Sequence, residues 1–370
     1  MCFKYYIYII GVVLAITACT NSPSPSTVKP GNRYATGFAI EQSDSAVIVR
    51  VYSPWDKEHV MGEYTITQPY QRLACNSCTH VGFLNELGAL DQLVGVSDKK
   101  LVYTPLADSV CDLGNSMAMD KERLLLCRAD AVLLSTYAQD DANQQLSTFD
   151  AQLSTFYINE WNEITPLARA EWIRVVGALV GKLAEADSIF DVVCTRYDSI
   201  CHPAISDVSS ASIAASAAHP SILSGQTFQG TWYVPTGRTF MGRLFKDAYY
   251  TYRFEDDQRE KSIPLTTEQV WMEFSDADVW VGVQVRTKEE LLQIDEKHAW
   301  IKAFYLGKVY NFMKRTTETG ANDFWETGVV HPELILKDLM LIKDDEAQGW
   351  LLLQHDEARD SLLYFTERLR

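Results

Sequence analysis

The stretch TPLARAEWIRVVGALVGKLAEADSIFDVVCTRYDSIC, residues 165–201, decides the architecture of this chain. Trp172, Val175, Val176, Leu179, Val180, Leu183 and Ile189 recur at the three- and four-residue spacing of a helical face. No proline falls between Pro166 and Pro203. The pattern predicts one helix of about 50 Å at about 1.5 Å per residue. Thr165 is its candidate N-cap, with Pro166 in the first turn. A rod spanning 165–202 is expected to connect two separate halves.

On the N-terminal side, residues 47–52 and 63–67 read as a β-hairpin that leads a lobe spanning 37–164. Residues 72–75, 93–97 and 131–136 are apolar strands, with helices expected at 81–90 and 120–127. After a Ser/Ala-rich loop at 203–218, the lobe spanning 219–370 repeats the alternation. Its strands fall at 221–224, 279–283 and 309–312, with a terminal edge strand at 362–366. Its helices fall at 239–248, 267–274, 288–294, 298–303 and 332–341. Strands apolar throughout, each followed by a helix, indicate parallel sheets covered on both faces. The fold class expected is α/β, with two Rossmann-like lobes joined by a single long rigid helix.

The 370 residues suit two domains, and 47% hydrophobic with 22% charged residues excludes global disorder. Against 49 Asp+Glu there are 33 Lys+Arg, a formal charge of −16, which argues against a nucleic-acid partner. The 9 Trp, 18 Tyr and 15 Phe exceed no core's needs by themselves, so the loop aromatics carry the interest. Residues 1–18 begin with Lys4 and an apolar run too short for a membrane span, and read as a signal peptide. Leu14-Ala15-Ile16-Thr17-Ala18-Cys19 resembles the lipobox of bacterial lipoproteins, which implies lipidation of Cys19, palmitate included. Residues 19–36, rich in Ser, Pro and Asn, then form a tether, and the protein is expected to be exported and membrane-anchored. Cys75 and Cys78 have redox spacing without a thioredoxin context; buried thiols or one disulfide involving Cys75, Cys78 or Cys111 are the alternatives.

Four strings share a family. VGFLNELGALDQLVGVS (81–97), DLGNSM (112–117), AEWIRVVGALVGK (170–182) and GTWYVPTGRTFMGRLFKDA (230–248) resemble substrate-binding proteins of ABC importers for iron complexes and cobalamin. GANDFWE (320–326) and VHPEL (330–334) resemble a Bacteroidetes-type lipoprotein version of that family. The resemblance covers residues 33–342. It implies a ligand cleft between the lobes, a siderophore, haem or corrinoid cargo containing iron or cobalt, no resident cofactor, no catalysis, and a permease partner facing the periplasm. The family's exposed docking glutamates would fall at Gly82 and at Phe240 or Met241, none of them acidic here, so Glu86 or Asp247 are the substitutes. A capture lipoprotein without its own permease is the alternative, and a thiol-redox or chelatase-like enzyme a further one. A monomer is expected.

In such folds the cleft is lined by loops at the carboxyl ends of strands. There the sequence offers His80, Tyr103, Tyr137 and Trp161 in the first lobe, and Trp232, Tyr233, Asn322, Asp323 and Trp325 in the second. Flat rings suit a planar, partly apolar complex, and amide or carboxylate groups suit its periphery. Arg238 and Arg315 could pair with anionic groups of the cargo. Trp172, Trp271, Trp280 and Trp300 fall on periodic elements and are assigned to packing. The seven histidines show no pairing at ligand spacing, which argues against a bare-metal site.

Overall fold

A computed structural model describes residue 29 and residues 31–136, 153–202, 219–346 and 363–365. The expected signal, tether, Cys19, Tyr137 and the 203–218 loop lie wholly or largely outside the described residues. The chain begins with an antiparallel sheet of β1 (Phe38–Gln42), β2 (Val47–Tyr52) and β3 (Val60–Ile66). Alternation in β2 buries Val49 and Val51 and turns Arg50 outward, where its Nε donates to Glu63, its cross-strand partner, at 2.6 Å.

A five-stranded parallel sheet follows. Its strands are β4 (Leu73–Cys75), β5 (Leu93–Val96), β6 (Cys111–Asp112), β9 (Ala131–Leu134) and β10 (Ser154–Tyr157), in the order β10-β9-β4-β5-β6. All four residues of β9 are buried, as an interior strand covered on both faces requires. A small hairpin of β7 (Gly114–Asn115) and β8 (Ala118–Met119) hangs from the β6 edge. Helix α1 (Cys78–Glu86) follows β4, and α2 (Lys121–Leu126), capped by Asp120, precedes β9. Chain order reverses about β4, which has β5 on one side and β9 on the other. Such a switch point is where open α/β sheets bind their ligands, outside the carboxyl ends of the strands.

The connector is not one rod. It is α3 (Pro166–Ala170), α4 (Ile173–Val180) and α5 (Leu183–Cys201), the last about 28 Å long. The Thr165 cap and Pro166 stand as expected, the Thr165 hydroxyl accepting from Ala168 N–H at 3.2 Å. Gly181 then takes the left-handed conformation (φ +74°) and Lys182 N–H bonds back to Gly177 C=O at 2.7 Å, a Schellman-type ending. The turn lets α5 fold against α4, with Ala186 packed on Gly177, and brings Lys182 Nζ to the carbonyls just past the end of α1, Leu87 (2.7 Å) and Gly88 (2.9 Å). The apolar periodicity runs through this break because both helices face the same core.

The second half contains a parallel sheet, β11 (Ile222–Ser224), β15 (Val279–Val283) and β16 (Val309–Asn311), in the order β11-β15-β16. Beside it lies an antiparallel sheet of β12 (Thr227–Phe228), β13 (Thr231–Val234) and β14 (Ile263–Thr266). The helices are α6 (Phe240–Asp247), α7 (Thr267–Phe274), α8 (Lys288–Ile294), α9 (Lys302–Tyr305), α10 (Thr327–Val330) and α11 (Pro332–Glu346). Helix α11 packs along α5, and α10 against α1. Where an edge strand is expected, the described residues Leu363, Tyr364 and Phe365 form a bend whose three N–H groups donate to the Asp338 carboxylate at 2.8, 2.7 and 3.2 Å. No described helix is long and apolar enough to cross a membrane.

A Cβ at position 181 would sit 2.5 Å from Pro69 Cγ, on a backbone that L side chains rarely adopt. Gly181→Ala is therefore expected to lower unfolding free energy by about 1–3 kcal/mol, read as a reduced midpoint in urea unfolding; an unchanged midpoint would mean the connector does not depend on the break.

Candidate functional site

The carboxyl end of β4 is organised by its own loop residues. Asn76 ties it to the loop after β9, donating to Ser135 C=O (3.2 Å) and accepting from Ser135 N–H (2.8 Å). Ser77 caps α1, its hydroxyl accepting from Thr79 N–H. One turn in, His80 is fully buried, 3.1 Å from the Ser135 hydroxyl and 4.0 Å from a Glu160 oxygen. Burial lowers the His80 pKa to about 3 and raises that of Glu160, whose carboxyl accepts from the Thr79 hydroxyl at 2.6 Å. His80 therefore braces α1 as a buried neutral ring, which corrects its expected place among the ligand contacts. Trp161 lies half-buried on the 3-10 turn Glu160–Asn162 after β10, its carbonyl held by Arg169 at 2.7 Å.

The second half reaches this edge through the loop after β16. Asn322 donates to Phe312 C=O (3.1 Å) and caps the 3-10 turn Asp323–Trp325 by accepting from Phe324 N–H (3.0 Å). Asp323 is buried, accepting from Arg315 Nε (2.7 Å) and the Thr327 hydroxyl (2.6 Å). Both residues therefore hold the loop, and their polar groups are engaged within it. Trp325 stays 41% exposed, edge-on to Phe312 and Phe324, with its carbonyl facing Cys78 at the start of α1. The Arg315 guanidinium lies 5.4 Å from the Tyr103 ring centre. Next in line, the Glu326 carboxylate accepts the backbone N–H groups of Tyr103 and Thr104 (3.0 Å for Thr104) and the Thr104 hydroxyl (2.8 Å). Burial raises the Glu326 pKa against those hydrogen bonds. Arg315 thus lies against Tyr103 of the first half, and the exposed Trp325 of the same loop lies against the start of α1. Sequence reasoning named Tyr103 and Trp325 but missed Glu326, which reads as an ordinary surface acid.

Trp232 is corrected to core: it lies in β13, fully buried, its indole N–H donating to Ser224 C=O at 2.8 Å. Trp280 does the same to Gly225 C=O at 2.7 Å, so the pair holds the turn after β11. Tyr233, on the opposite face of β13, is 58% exposed. Arg238 is paired with Glu260 at 2.8 Å. Among the described residues no group of three or more His, Cys, Asp or Glu could hold a metal ion.

The profile of the family described as periplasmic binding protein matches residues 73–316, from β4 to the loop after β16. The chain belongs to that family. Its members are substrate-binding proteins of transporters and not enzymes. An uncharacterized lipoprotein of Methanocaldococcus jannaschii is 25% identical over 207 residues, 54% of this chain; the chain spans about half (51%) the length of this curated relative. Three solved structures share the fold at low identity. Helicobacter pylori CeuE with Ni(II) bound has a TM-score of 0.57 at 14% identity, covering 82% of this chain and 91% of that one. Vibrio cholerae FhuD bound to Fe3+–Desferal scores 0.54 at 12%, covering 74% and 99%. The periplasmic heme binding protein HutB of Vibrio cholerae scores 0.52 at 16%, covering 72% and 98%.

At the positions where the family resemblance implies docking glutamates, this member is built differently. A Cβ on Gly82 would already meet the Glu326 backbone at 2.8 Å, so no larger side chain fits there. Phe240 is buried under the Arg169 guanidinium, 4.8 Å from its ring centre. The two substitutes are engaged within the chain. Glu86 pairs with His331 at 3.1 Å, and Asp247 accepts from the Tyr197 hydroxyl at 2.7 Å.

His80 and His331 make opposite contributions to stability across pH. His80 stays neutral in the fold to about pH 3 but takes a proton near 6.5 when unfolded. Its contribution is full above pH 6.5 and drains as pH falls toward 3. His331 is pulled down by burial but raised further by Glu333 and Glu86, to about 9, so its contribution is full below pH 6.5 and lost as pH rises toward 9. Relative to the parent chain, His80→Gln should flatten the acid limb and His331→Gln the alkaline limb of stability against pH. Each slope is at most about 1.4 kcal/mol per pH unit. Chemical unfolding from pH 4 to 9 checks this, and parallel limbs in parent and variant would refute the assignment.

Proposed function

We propose that this chain is the lipid-anchored substrate-binding component of an ABC importer, exported to the periplasmic or outer face of a bacterial membrane. It captures a metal complex, a corrinoid, a ferric siderophore or haem, between its two halves and delivers it to a permease. The observation that carries the reading is the loop after β16, which sets Arg315 on Tyr103 of the first half and an exposed Trp325 against the start of α1, in a chain of the periplasmic binding protein family. An exposed indole, a phenol and a cation beside it suit a flat organic complex with anionic groups at its rim. CeuE with Ni(II) bound, the siderophore binding protein FhuD with Fe3+–Desferal and the heme binding protein HutB support the cargo class. The lipobox-like run ending at Cys19 and a relative called a lipoprotein support the anchor.

A second reading, capture at the membrane without a dedicated permease, is favoured by one observation: Gly82, Phe240 and Met241 stand where the family resemblance implies docking acids. Co-purification of a permease with the affinity-tagged chain separates the two.

Two outcomes test the proposal. Calorimetric titration of the chain beginning at Thr20 with cobalamin, haem and ferric siderophores should give micromolar or tighter binding for one class, and Trp325→Ala should weaken it by on the order of 1–3 kcal/mol. No heat with any of them, or unchanged affinity in the variant, would count against the site. Growth with labelled palmitate should mark the full-length chain, and Cys19→Ala should abolish the label and release the protein from membranes.

A further inference from the structure

Phe324 is buried although it stands on a loop turn, directly before the exposed Trp325. Four aromatic rings surround it. Phe312 and Trp325, from the same loop, have ring centres 5.3 and 4.8 Å away. Tyr364 and Phe365, from the bend after α11, lie at 5.8 and 6.2 Å, edge-on at 84° and 81°. Edge-to-face pairs at these separations attract beyond the area they bury. Tyr364 also lies on α10, where a Cβ at Gly328 would come 3.5 Å from its Cζ.

The bend is placed by one side chain. Asp338, itself buried on α11, accepts Leu363 N–H on one carboxylate oxygen and Tyr364 and Phe365 N–H on the other. These N–H groups have no strand to pair with, so the carboxylate decides where two large buried rings point. The Tyr364 hydroxyl has no hydrogen-bond partner among the described residues, so what the residue contributes is its ring.

The loop after β16 is fastened elsewhere by polar contacts. The Thr319 hydroxyl donates to Lys100 C=O at 2.7 Å, Asn322 caps the turn, and Glu326 holds Tyr103 and Thr104. Between these fixed points Phe324 and Trp325 are oriented by ring packing, Trp325 standing edge-on to Phe312 at 6.1 Å and to Phe324. The family profile ends at residue 316, so Trp325 and the bend both lie beyond the matched residues.

We propose that the bend at 363–365 positions the binding site: Asp338 fixes Tyr364 and Phe365, their rings fix Phe324, and Phe324 fixes the Trp325 indole. This rests on the reading above that Trp325 meets the cargo. Asp338, Tyr364 and Phe365 are then positioning residues that touch no ligand. Without them Phe324 loses two of its ring neighbours, and the neighbouring indole has to be ordered when the ligand arrives.

The test uses the full-length chain labelled with 5-fluorotryptophan and observed by fluorine NMR. The Trp325 resonance, assigned by its loss in Trp325→Phe, should shift and broaden in Asp338→Ala and in the double variant Tyr364→Ala, Phe365→Ala. The resonances of Trp172 and Trp280, assigned in the same way, should keep their positions, and Tyr364→Phe, which keeps the ring, should match the parent. A Trp325 resonance unmoved in both variants overturns the proposal. If Asp338→Ala fails to fold, the double variant decides, because its clamp is intact; loss of the Trp172 and Trp280 resonances there as well assigns the bend to the fold as a whole and also overturns the proposal. Calorimetric titration with cyanocobalamin, haemin and ferrioxamine B supplies the functional arm. Whichever of these the parent binds should bind about 2–10-fold more weakly to the double variant, the cost of ordering one side chain, and unchanged affinity overturns the proposal. A parent that binds none of the three refutes the proposed function, while the fluorine resonance still decides whether the bend places Trp325.

Discussion

Much of this structure depends on buried carboxylates that accept hydrogen bonds from consecutive backbone N–H groups. Glu171 takes those of Arg33, Tyr34 and Ala35, and Glu163 takes those of Thr36 and Gly37. Glu326 takes Tyr103 and Thr104, and Asp338 takes residues 363 to 365. Each segment lies outside regular secondary structure, so its N–H groups have no ladder partner and would otherwise be stranded in the interior. A charge-assisted bond of this kind contributes about 1.5–3 kcal/mol, whereas a buried donor left unmade costs a similar amount. The acids therefore do for irregular chain what a neighbouring strand does for a sheet.

Glu326 has the largest consequence, because its donors belong to the other half of the molecule. Its backbone packs on Gly82 of α1, Arg315 leans on Tyr103, and His331 reaches Glu86. These contacts come from one short stretch after β16 and all land on the first half. The connector contributes differently from the expected rod. Its three helices fold on one another, Arg174 of α4 pairing with Asp187 of α5 at 2.6 Å, and Lys182 at the turn caps α1. The halves are joined by a compact knot of short helices and a clamp, and little of the relative geometry is left to one helix's stiffness.

The strands were legible because parallel sheets covered on both faces leave apolar runs: 131–134 and 279–283 could be little else. The connector misled because hydrophobic periodicity does not register a Schellman turn whose flanking helices share a core; Gly181 was the visible signal, and the unbroken apolar face outweighed it. Trp232 misled for a related reason. In TWYV the period-two alternation puts Trp232 and Val234 on the buried face and Tyr233 outside, but a four-residue strand gives little pattern to read. The site was half legible: Tyr103 and Trp325 follow from loop position and ring chemistry. Glu326 was not, since nothing in a single sequence separates an acid facing water from one facing two N–H groups 222 or more residues away.

The formal charge of −16 reads differently in this light. Seven acids, Glu160, Glu163, Glu171, Asp323, Glu326, Glu333 and Asp338, are buried among the described residues, so part of the acidic excess is internal framework. Burial raises the pKa of Glu160, Glu326 and Asp338 even where N–H donors oppose the shift, so removal from water weighs more than the bonds gained there. Such groups are poor net stabilisers compared with apolar packing of the same volume. What they supply is direction. A carboxylate facing two fixed N–H groups has few satisfactory orientations, and a shifted register leaves donors unmet. The position of Trp325 beside α1 is therefore set by where Tyr103 and Thr104 point, more than by how much energy the contact releases. A site whose walls are placed that way before any ligand arrives loses less conformational freedom on binding.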